Sequence, residues 1–295
     1  MTALTRDRID WGSWVWIAWR QHRTSILLAT GVTVVVAYSV ASRSFDFAVG
    51  IWPYAPTVLS TLTATFWAAP MVAREFEDRT NVFAWSQDAT PQRWVVGRSL
   101  PLVVVAAALV AILNIALLRQ IGTERFTSQL FEANPLVHTT YVVFGFALGL
   151  AFGTLLRQTP GAIAGTLTVF LGVRIFVALF LRMHLMPPER SATVYGPASS
   201  PEAPSGAYIV DSGYLDNHNG RAAAPFAQTE GCANTPNPDA QATCYREAGI
   251  SAHFTDYQPR PRMPVLQLAE GMIYLALTAL LLWFVTSRLR ARRHI

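Results

Sequence analysis

The chain has 295 residues, of which 52% are hydrophobic and only 14% are charged, whereas a soluble domain carries about 25% charged residues. This shortage of charge, together with a positive mean hydropathy, indicates an integral membrane protein. All 23 cationic residues are arginine, and the absence of lysine excludes a Walker A phosphate loop and a Schiff-base lysine on this chain. The arginines lie beside the apolar segments and do not form one basic domain, so we expect no nucleic-acid partner.

Residues 1–23 precede the first apolar segment and carry tryptophans at helical spacing with arginines on the other side of the same helix. The tryptophans include Trp11, Trp14 and Trp19, and the arginines are Arg20 and Arg23. Because tryptophan prefers the headgroup level, we predict an amphipathic helix along the inner leaflet. The alternatives are an N-terminal extension of the first span and a cleaved secretory signal, which the tryptophans disfavour.

Six apolar segments are long enough to cross a membrane as helices, which takes about 20 residues each. They are residues 24–41, 55–73, 99–118, 137–156, 160–181 and 265–287. The second is the most polar, and its Ser and Thr side chains are expected to face neighbouring helices. The sequence therefore predicts an all-α integral membrane protein with six transmembrane helices.

Arginine indicates the orientation of these spans. It is concentrated in residues 1–23, in residues 74–98, at Arg157 and in the C-terminal tail, which six spans place on one side of the membrane. By the positive-inside rule these segments are cytoplasmic, and so are both termini.

Residues 183–264 form one large segment on the opposite, oxidising side. It contains both cysteines, Cys232 and Cys244, and we predict a disulfide that closes a loop of about 13 residues and is worth about 3 kcal/mol. The alternative is two unpaired thiols. The sequence has no Cys-x-x-Cys spacing, so we do not expect a zinc site here. Pro, Gly, Ala and Ser dominate residues 187–240, and we therefore expect much of this part to lack regular structure.

Two ionisable residues lie inside predicted spans. Arg174 is in the fifth span and Glu270 in the sixth, at similar depths from their outer ends. Charges inside a membrane are costly, and they usually pair or face a water-filled path. We therefore predict an Arg174–Glu270 ion pair beside a translocation route; the alternative is that each side chain reaches the outer interface by itself. The sequence has no hydrolase or metalloprotease motif, so we predict no catalytic, cofactor or metal site.

The insert between the second and third spans, residues 74–98, has an acidic helical start, several aromatic residues and a helix restart. Thr90 is expected to cap a helix that begins at Pro91. The sequence APMVAREFEDRT…AWSQDATPQRWVVGR resembles the ABC-2 type permeases of ATP-driven transporters, especially those of arginine-rich, lysine-poor, GC-rich bacteria. The order of the spans and the long region between the fifth and sixth are also similar. Two features depart from that pattern: Arg79 stands where many members have glycine, and residues 183–264 are longer than usual.

This resemblance implies a permease subunit of an ABC exporter in the bacterial cytoplasmic membrane, with no ATPase site of its own. A separate ATPase subunit would bind ATP and Mg²⁺ and would contact a coupling helix over residues 74–90. A second permease chain and membrane lipid would be the other partners. The residues expected to contact the ATPase are Arg74, Glu75, Phe76, Glu77, Arg79, Phe83, Trp85 and Arg93.

The expected domains are the interfacial helix (1–23), spans one to five with the coupling helix (24–182), the extracytoplasmic loop (183–264), and the last span with a basic tail (265–295). The alternative for the insert is a solvated loop. The alternatives for the whole chain are a membrane-embedded enzyme and a signalling or assembly protein, each using the extracytoplasmic loop. The residues do not identify a cargo.

Overall fold

The computed structural model describes residues 11–42, 54–78, 91–120, 126–194, 203–218, 220–222, 231–235 and 237–291. These residues form two compact units. The first contains the described parts of Met1–Gly122, Gln129–Val177 and Gln267–Ile295, and the second contains those of Thr123–Ser128 and Ala178–Leu266. We describe the two units in turn.

Helix α1 runs without a break from Trp11 to Ser42. At 1.5 Å per residue its 32 residues span about 48 Å, well beyond the roughly 30 Å of a bilayer core. The predicted boundary at residue 23, between a separate interfacial helix and the first span, is therefore wrong. The alternative, an N-terminal extension of the first span as one helix, describes the structure.

The second predicted span is helical but irregular. Helix α2 (Ala55–Thr63) leads through a π-helical segment (Ala64–Ala68) into helix α3 (Ala69–Glu77). Helix α2 begins with Pro56 in its first turn, where the missing N–H costs no hydrogen bond, whereas Pro70 directly follows the π-helical segment, where the α-helical pattern resumes. Helix α3 ends within the predicted coupling helix, and residues 79–90 lie outside the described residues.

Five further helices lie wholly or mainly in the first unit: α4 (Pro91–Leu118), the short α5 (Ser128–Glu132), α6 (Pro135–Leu156), α7 (Thr159–Phe176) and α9 (Met263–Ala291). Helix α4 begins at Pro91, where the sequence predicts its start. The side chain of Asn134 caps α6 by accepting hydrogen bonds from the N–H groups of Leu136 and Val137. Helix α6 ends at Arg157, whose φ of 56° is left-handed and turns the chain into α7.

Five helices in the described part of the chain are long and apolar enough to cross a membrane. They are Val15–Ser42, Trp94–Leu118, Pro135–Leu156, Thr159–His184 and Arg260–Arg290. They correspond to five of the six predicted spans, and the π-interrupted segment Ala55–Glu77 is the sixth predicted one. A multi-pass helical membrane protein is thus confirmed, while the count of six spans stays a prediction.

Glycines on α6 allow its close approach to the α2–α3 segment. Gly145 and Gly149 follow at helical spacing, and a Cβ built on Gly149 would lie 2.7 Å from Cβ of Ala68 and 2.9 Å from the backbone oxygen of Ala64. Contacts this short leave no room for any side chain. Gly153, one turn further on, meets the backbone of Ala69 and Ala73 in the same way.

The second unit contains regular structure that the sequence did not predict. Strands β1 (Glu189–Val194), β2 (Tyr208–Asp216) and β3 (Ile250–Gln258) form an antiparallel sheet in the order β1-β3-β2. Within residues 187–240, where much of the chain is expected to lack regular structure, β1 and β2 are regular strands that the composition did not indicate. Their pairing partner β3 lies far along the chain, so composition near residues 187–240 could not reveal it.

A short helix, α8 (Pro238–Glu247), carries one half of a disulfide in this unit. Cys232 and Cys244 are bonded, with their Cα atoms 5.5 Å apart, which confirms the predicted disulfide. Cys232 is fully buried and packs with Tyr245 and Ile250, so the bond joins the segment before α8 to the helix and the sheet.

Candidate functional site

Arg174 on α7 is a buried cation in the first unit, with only 5% of its surface exposed. Its Nη1 lies 3.3 Å from Oε1 of Glu270 on α9, whose side chain is fully buried. The structure thus brings together the two intramembrane charges that the sequence singled out. Taking both groups out of water is costly, and their mutual attraction offsets part of that cost.

A second carboxylate, which the sequence analysis missed, is closer to this arginine. Nη2 of Arg174 lies 2.8 Å from Oε2 of Glu132, the last residue of α5. The hydroxyl of Thr57 on α2 donates to the same oxygen at 3.2 Å. One guanidinium therefore connects α5, α7 and α9, and through Thr57 also α2.

Two buried tyrosines complete this cluster, which we call the Arg174 cluster: Thr57, Glu132, Tyr141, Arg174, Glu270 and Tyr274. Tyr141 donates its hydroxyl proton to Glu270 at 2.6 Å, and its ring centroid is 3.7 Å from Cζ of Arg174. The Nη1 of Arg174 donates to the hydroxyl of Tyr274 at 3.5 Å. A cation over an aromatic face gains about 2 kcal/mol or more when it is desolvated, so Tyr141 stabilises the buried guanidinium as the carboxylates do.

The formal charge of the Arg174 cluster is uneven, since two carboxylates face one guanidinium. Glu132 is the more accessible of the two, with 17% of its side chain exposed. The arrangement offers hydrogen-bonding groups within a span but no nucleophile paired with a base. A glutamate three residues before the proline that begins α6 was the one signal in the sequence that could have identified Glu132.

Side chains at the end of α3 form a second network in the first unit. Arg98 on α4 makes an ion pair with Glu75, and its Nη2 donates to Oε1 of Gln21 on α1 at 2.9 Å. Cζ of Arg98 also lies 5.0 Å from the ring centroid of Trp94. These contacts tie the last turn of α3 to α1 and α4.

The next residues of α3 contact the turn between α6 and α7. Oε2 of Glu77 accepts hydrogen bonds from the hydroxyl of Thr159 at 2.6 Å and from its N–H at 3.2 Å, which satisfies the start of α7. The hydrogen bond from the Thr159 hydroxyl lowers the pKa of Glu77 below its ordinary value. Cζ of Arg157 lies 5.6 Å from the ring centroid of Phe76.

The residues predicted to contact an ATPase differ in their exposure to solvent, and only some of them are among the described residues. Arg74 and Glu77 are exposed, whereas Glu75 and Phe76 are half-buried against other helices of this chain. Arg79, Phe83 and Trp85 lie outside the described residues, as does the side chain of Arg93.

Among the described residues no group of three or more His, Cys, Asp or Glu side chains could hold a metal ion. A family model described as ABC-2 membrane transporter related matches residues 33–182, about half of the chain. The match includes Glu75, Arg98, Glu132 and Arg174. No curated protein and no solved structure matches the chain.

Proposed function

Because the chain belongs to the ABC-2 membrane transporter related family, we propose that it is the permease subunit of an ATP-driven exporter in a bacterial cytoplasmic membrane. ATP and Mg²⁺ bind a separate cytoplasmic ATPase subunit, since this chain has no lysine for a Walker A loop. A second permease chain completes the substrate path. Both termini and the coupling helix over residues 74–90 face the cytoplasm, where most of the arginine outside the spans is concentrated.

The observation that carries this proposal is the set of contacts at the end of α3. Three consecutive residues, Glu75, Phe76 and Glu77, are held by Arg98, Arg157 and Thr159. These partners belong to α4 and to the α6–α7 turn, and Arg98 reaches on to α1. A force applied to the segment that follows α3 would therefore be passed to four other helices, which is what a permease needs from its coupling helix.

The proposed contacts with the ATPase are residues at the end of α3 and residues of the insert that follows it. Arg74 and Glu77 are exposed, and Arg79, Phe83, Trp85 and Arg93 belong to the insert that follows. Glu75 and Phe76 act from within the permease, where they pass movement of the insert to the helices.

The Arg174 cluster is the proposed lining of the substrate path. Charged groups in a span are tolerated when they face one another or water, and Arg174, Glu132 and Glu270 face one another. Movement of any one of α5, α7 and α9 would have to break an ion pair in this cluster. The cluster would thereby resist opening until the ATPase supplies energy.

Coupling is tested with the ion pair at the end of α3. We expect an ATPase subunit to co-purify with the permease, and Phe83→Ala to abolish this co-purification. Glu75→Arg and Arg98→Glu should each keep the ATPase bound but remove its stimulation by the permease, and the double swap should restore stimulation. Arg119→Glu, an exposed charge reversal at the other end of α4, is the control. A permease that purifies without any ATPase, or a Phe83→Ala variant that keeps it, contradicts the proposal.

The substrate path is tested with cysteine labelling, since both native cysteines are disulfide-bonded. Thr57→Cys places a thiol beside Glu132, and Val58→Cys places one on the outward, 53% exposed side of the same helix. A membrane-impermeant thiol reagent should modify Cys at position 57 faster during ATP hydrolysis and should not modify position 58 at all. Equal labelling at both positions, or no effect of ATP, would exclude a water-filled route at this cluster.

A further inference from the structure

A cavity of about 530 Å³ lies between α1, α3 and α4 in the first unit. Its wall contains both polar and apolar residues. The polar ones include His22, Arg74 and Asp78, and the apolar ones include Phe66, Pro70 and Met71. The ion pair of Glu75 and Arg98 also borders it, but these two charges already neutralise each other.

Arg74 and Asp78 place one positive and one negative charge at the cavity. Arg74 and Asp78 are one helical turn apart, and the N–H of Asp78 donates to the carbonyl of Arg74 at 2.8 Å. Both side chains are exposed, and in the described part of the chain neither takes part in a salt bridge, although Arg74 also acts electrostatically on Glu77 and His22. A ligand that carries both charges would complement them, whereas an anion alone would face Asp78 and a cation alone would face Arg74.

From the cavity, exposed apolar side chains continue along the π-helical segment into α2. Phe66 is 56% exposed, and Leu62, one turn earlier on the helix, is 47% exposed. A hydrocarbon chain can therefore lie along these two side chains while its polar end occupies the cavity.

The position of the cavity along α1 matches the boundary of a bilayer. Four residues of α1 border it, namely Gln21, His22, Thr24 and Ser25, and the exposed Trp16 and Trp19 precede them. Cζ of Arg20 lies 5.2 Å from the ring centroid of Trp16. Exposed tryptophan and arginine mark the headgroup level, and the residues that follow Ser25 are predominantly apolar.

We propose that this cavity binds a zwitterionic phospholipid whose head group carries a primary ammonium. The phosphate is held by Arg74, the ammonium by the carboxylate of Asp78, and one acyl chain runs along Phe66 and Leu62. A primary ammonium is favoured over a quaternary one because its N–H groups can donate to a carboxylate. The bound lipid would bridge α1 and α3 beside the segment that leads to the coupling helix.

The test is lipid binding to the purified full-length chain in detergent, followed by native mass spectrometry. Phosphatidylethanolamine, phosphatidylcholine and phosphatidylglycerol with identical acyl chains are added in turn. We expect phosphatidylethanolamine to bind tightest, and Arg74→Ala and Asp78→Asn each to weaken it about tenfold, as the loss of a charge-assisted hydrogen bond would. Asp78→Asn should at the same time strengthen binding of the anionic phosphatidylglycerol.

Arg119→Ala is the matched control, because it also removes one exposed arginine, at the end of α4 that lies away from the cavity. Equal binding of the three lipids, or equal loss in Arg74→Ala and Arg119→Ala, would overturn the proposal in favour of unspecific lipid around the protein. Phe66→Ala provides a second variant with the polar groups intact, and it should weaken phosphatidylethanolamine binding without changing the order of the three lipids. An unchanged affinity for Phe66→Ala would exclude the proposed path of the acyl chain. The assay needs no ATPase, so its outcome is independent of the proposed export function.

Discussion

Nη2 of Arg174 lies 2.8 Å from Oε2 of Glu132, closer than the 3.3 Å that separates Arg174 from Glu270. Arg174 is therefore shared between a short helix in a connecting segment and the last long helix. Its removal would take the charge of Arg174 away from the fully buried Glu270 and the partly buried Glu132, and breaking a buried ion pair by removing one partner is costly.

We expect Arg174→Ala to lower the free energy of unfolding by about 3–5 kcal/mol, because the fully buried Glu270 and the partly buried Glu132 would each lose an ion pair. Glu132→Gln should be milder, since Arg174 keeps Glu270. Thermal unfolding of the purified protein in detergent measures both. Arg119→Ala, at an exposed position, should stay within about 0.5 kcal/mol of wild type. Equal stability of Arg174→Ala and Arg119→Ala would show that the Arg174 cluster contributes nothing to the fold.

Gly149→Ala should destabilise the first unit by about 1–3 kcal/mol, because the new methyl group would meet the backbone of the α2–α3 segment. Gly172→Ala on α7 is the control, since a Cβ there meets no atom within 4 Å. Alanine forms helix better than glycine, so this control should be neutral or slightly more stable. Thermal unfolding compares the two variants, and a destabilised Gly172→Ala with an unaffected Gly149→Ala would contradict the packing described here.

Replacing both cysteines with serine should destabilise the second unit by about 3 kcal/mol, as expected for a loop of this length. Hydrogen exchange followed by mass spectrometry should show faster exchange in β3 and α8, with α6 unchanged. Treating the wild-type protein with a reductant should reproduce the effect. If hydrogen exchange in β3 and α8 were the same before and after reduction, the sheet would not depend on the disulfide.

The second unit should lose stability as the pH falls below about 6.5, because burial lowers the pKa of His253 below that value. The unfolded chain then binds a proton that the folded unit binds less readily, so the free energy of unfolding decreases with decreasing pH. Nδ1 of His253 has no hydrogen-bond partner among the described residues, and the ring packs on Tyr214 at a centroid distance of 5.4 Å.

His253→Phe keeps this ring contact and should flatten the pH dependence between the folded-state pKa and 6.5. His218→Gln, at an exposed position of the same unit, should leave it unchanged. The measurement is hydrogen exchange in β3 at a series of pH values, corrected for the intrinsic exchange rate. An identical pH dependence in wild type and His253→Phe would assign it to other groups.

The sequence by itself was sufficient for features that depend on local composition. Five of the six predicted spans coincide with apolar helices, since burial in lipid requires a continuous apolar stretch. Arg174 and Glu270 stood out for the same reason, because a charge inside such a stretch is costly wherever its partner lies. The disulfide followed from two cysteines in one segment, and the family from the residues around the insert.

The tertiary structure alone decided which groups meet. Glu132 lies 42 residues from Arg174 in a segment that reads as a loop, so its place beside the guanidinium depends on how α5 and α7 pack. Strands β1 and β3 pair although more than 50 residues separate them. The proline-rich composition near β1 gave no indication of a strand there. The continuity of α1 was also beyond the sequence, because amphipathic and apolar stretches can each be helical and only the backbone shows whether they join. Apolar burial is a property of each segment, whereas ion pairs, strand pairing and helix contacts are set between segments distant in the chain.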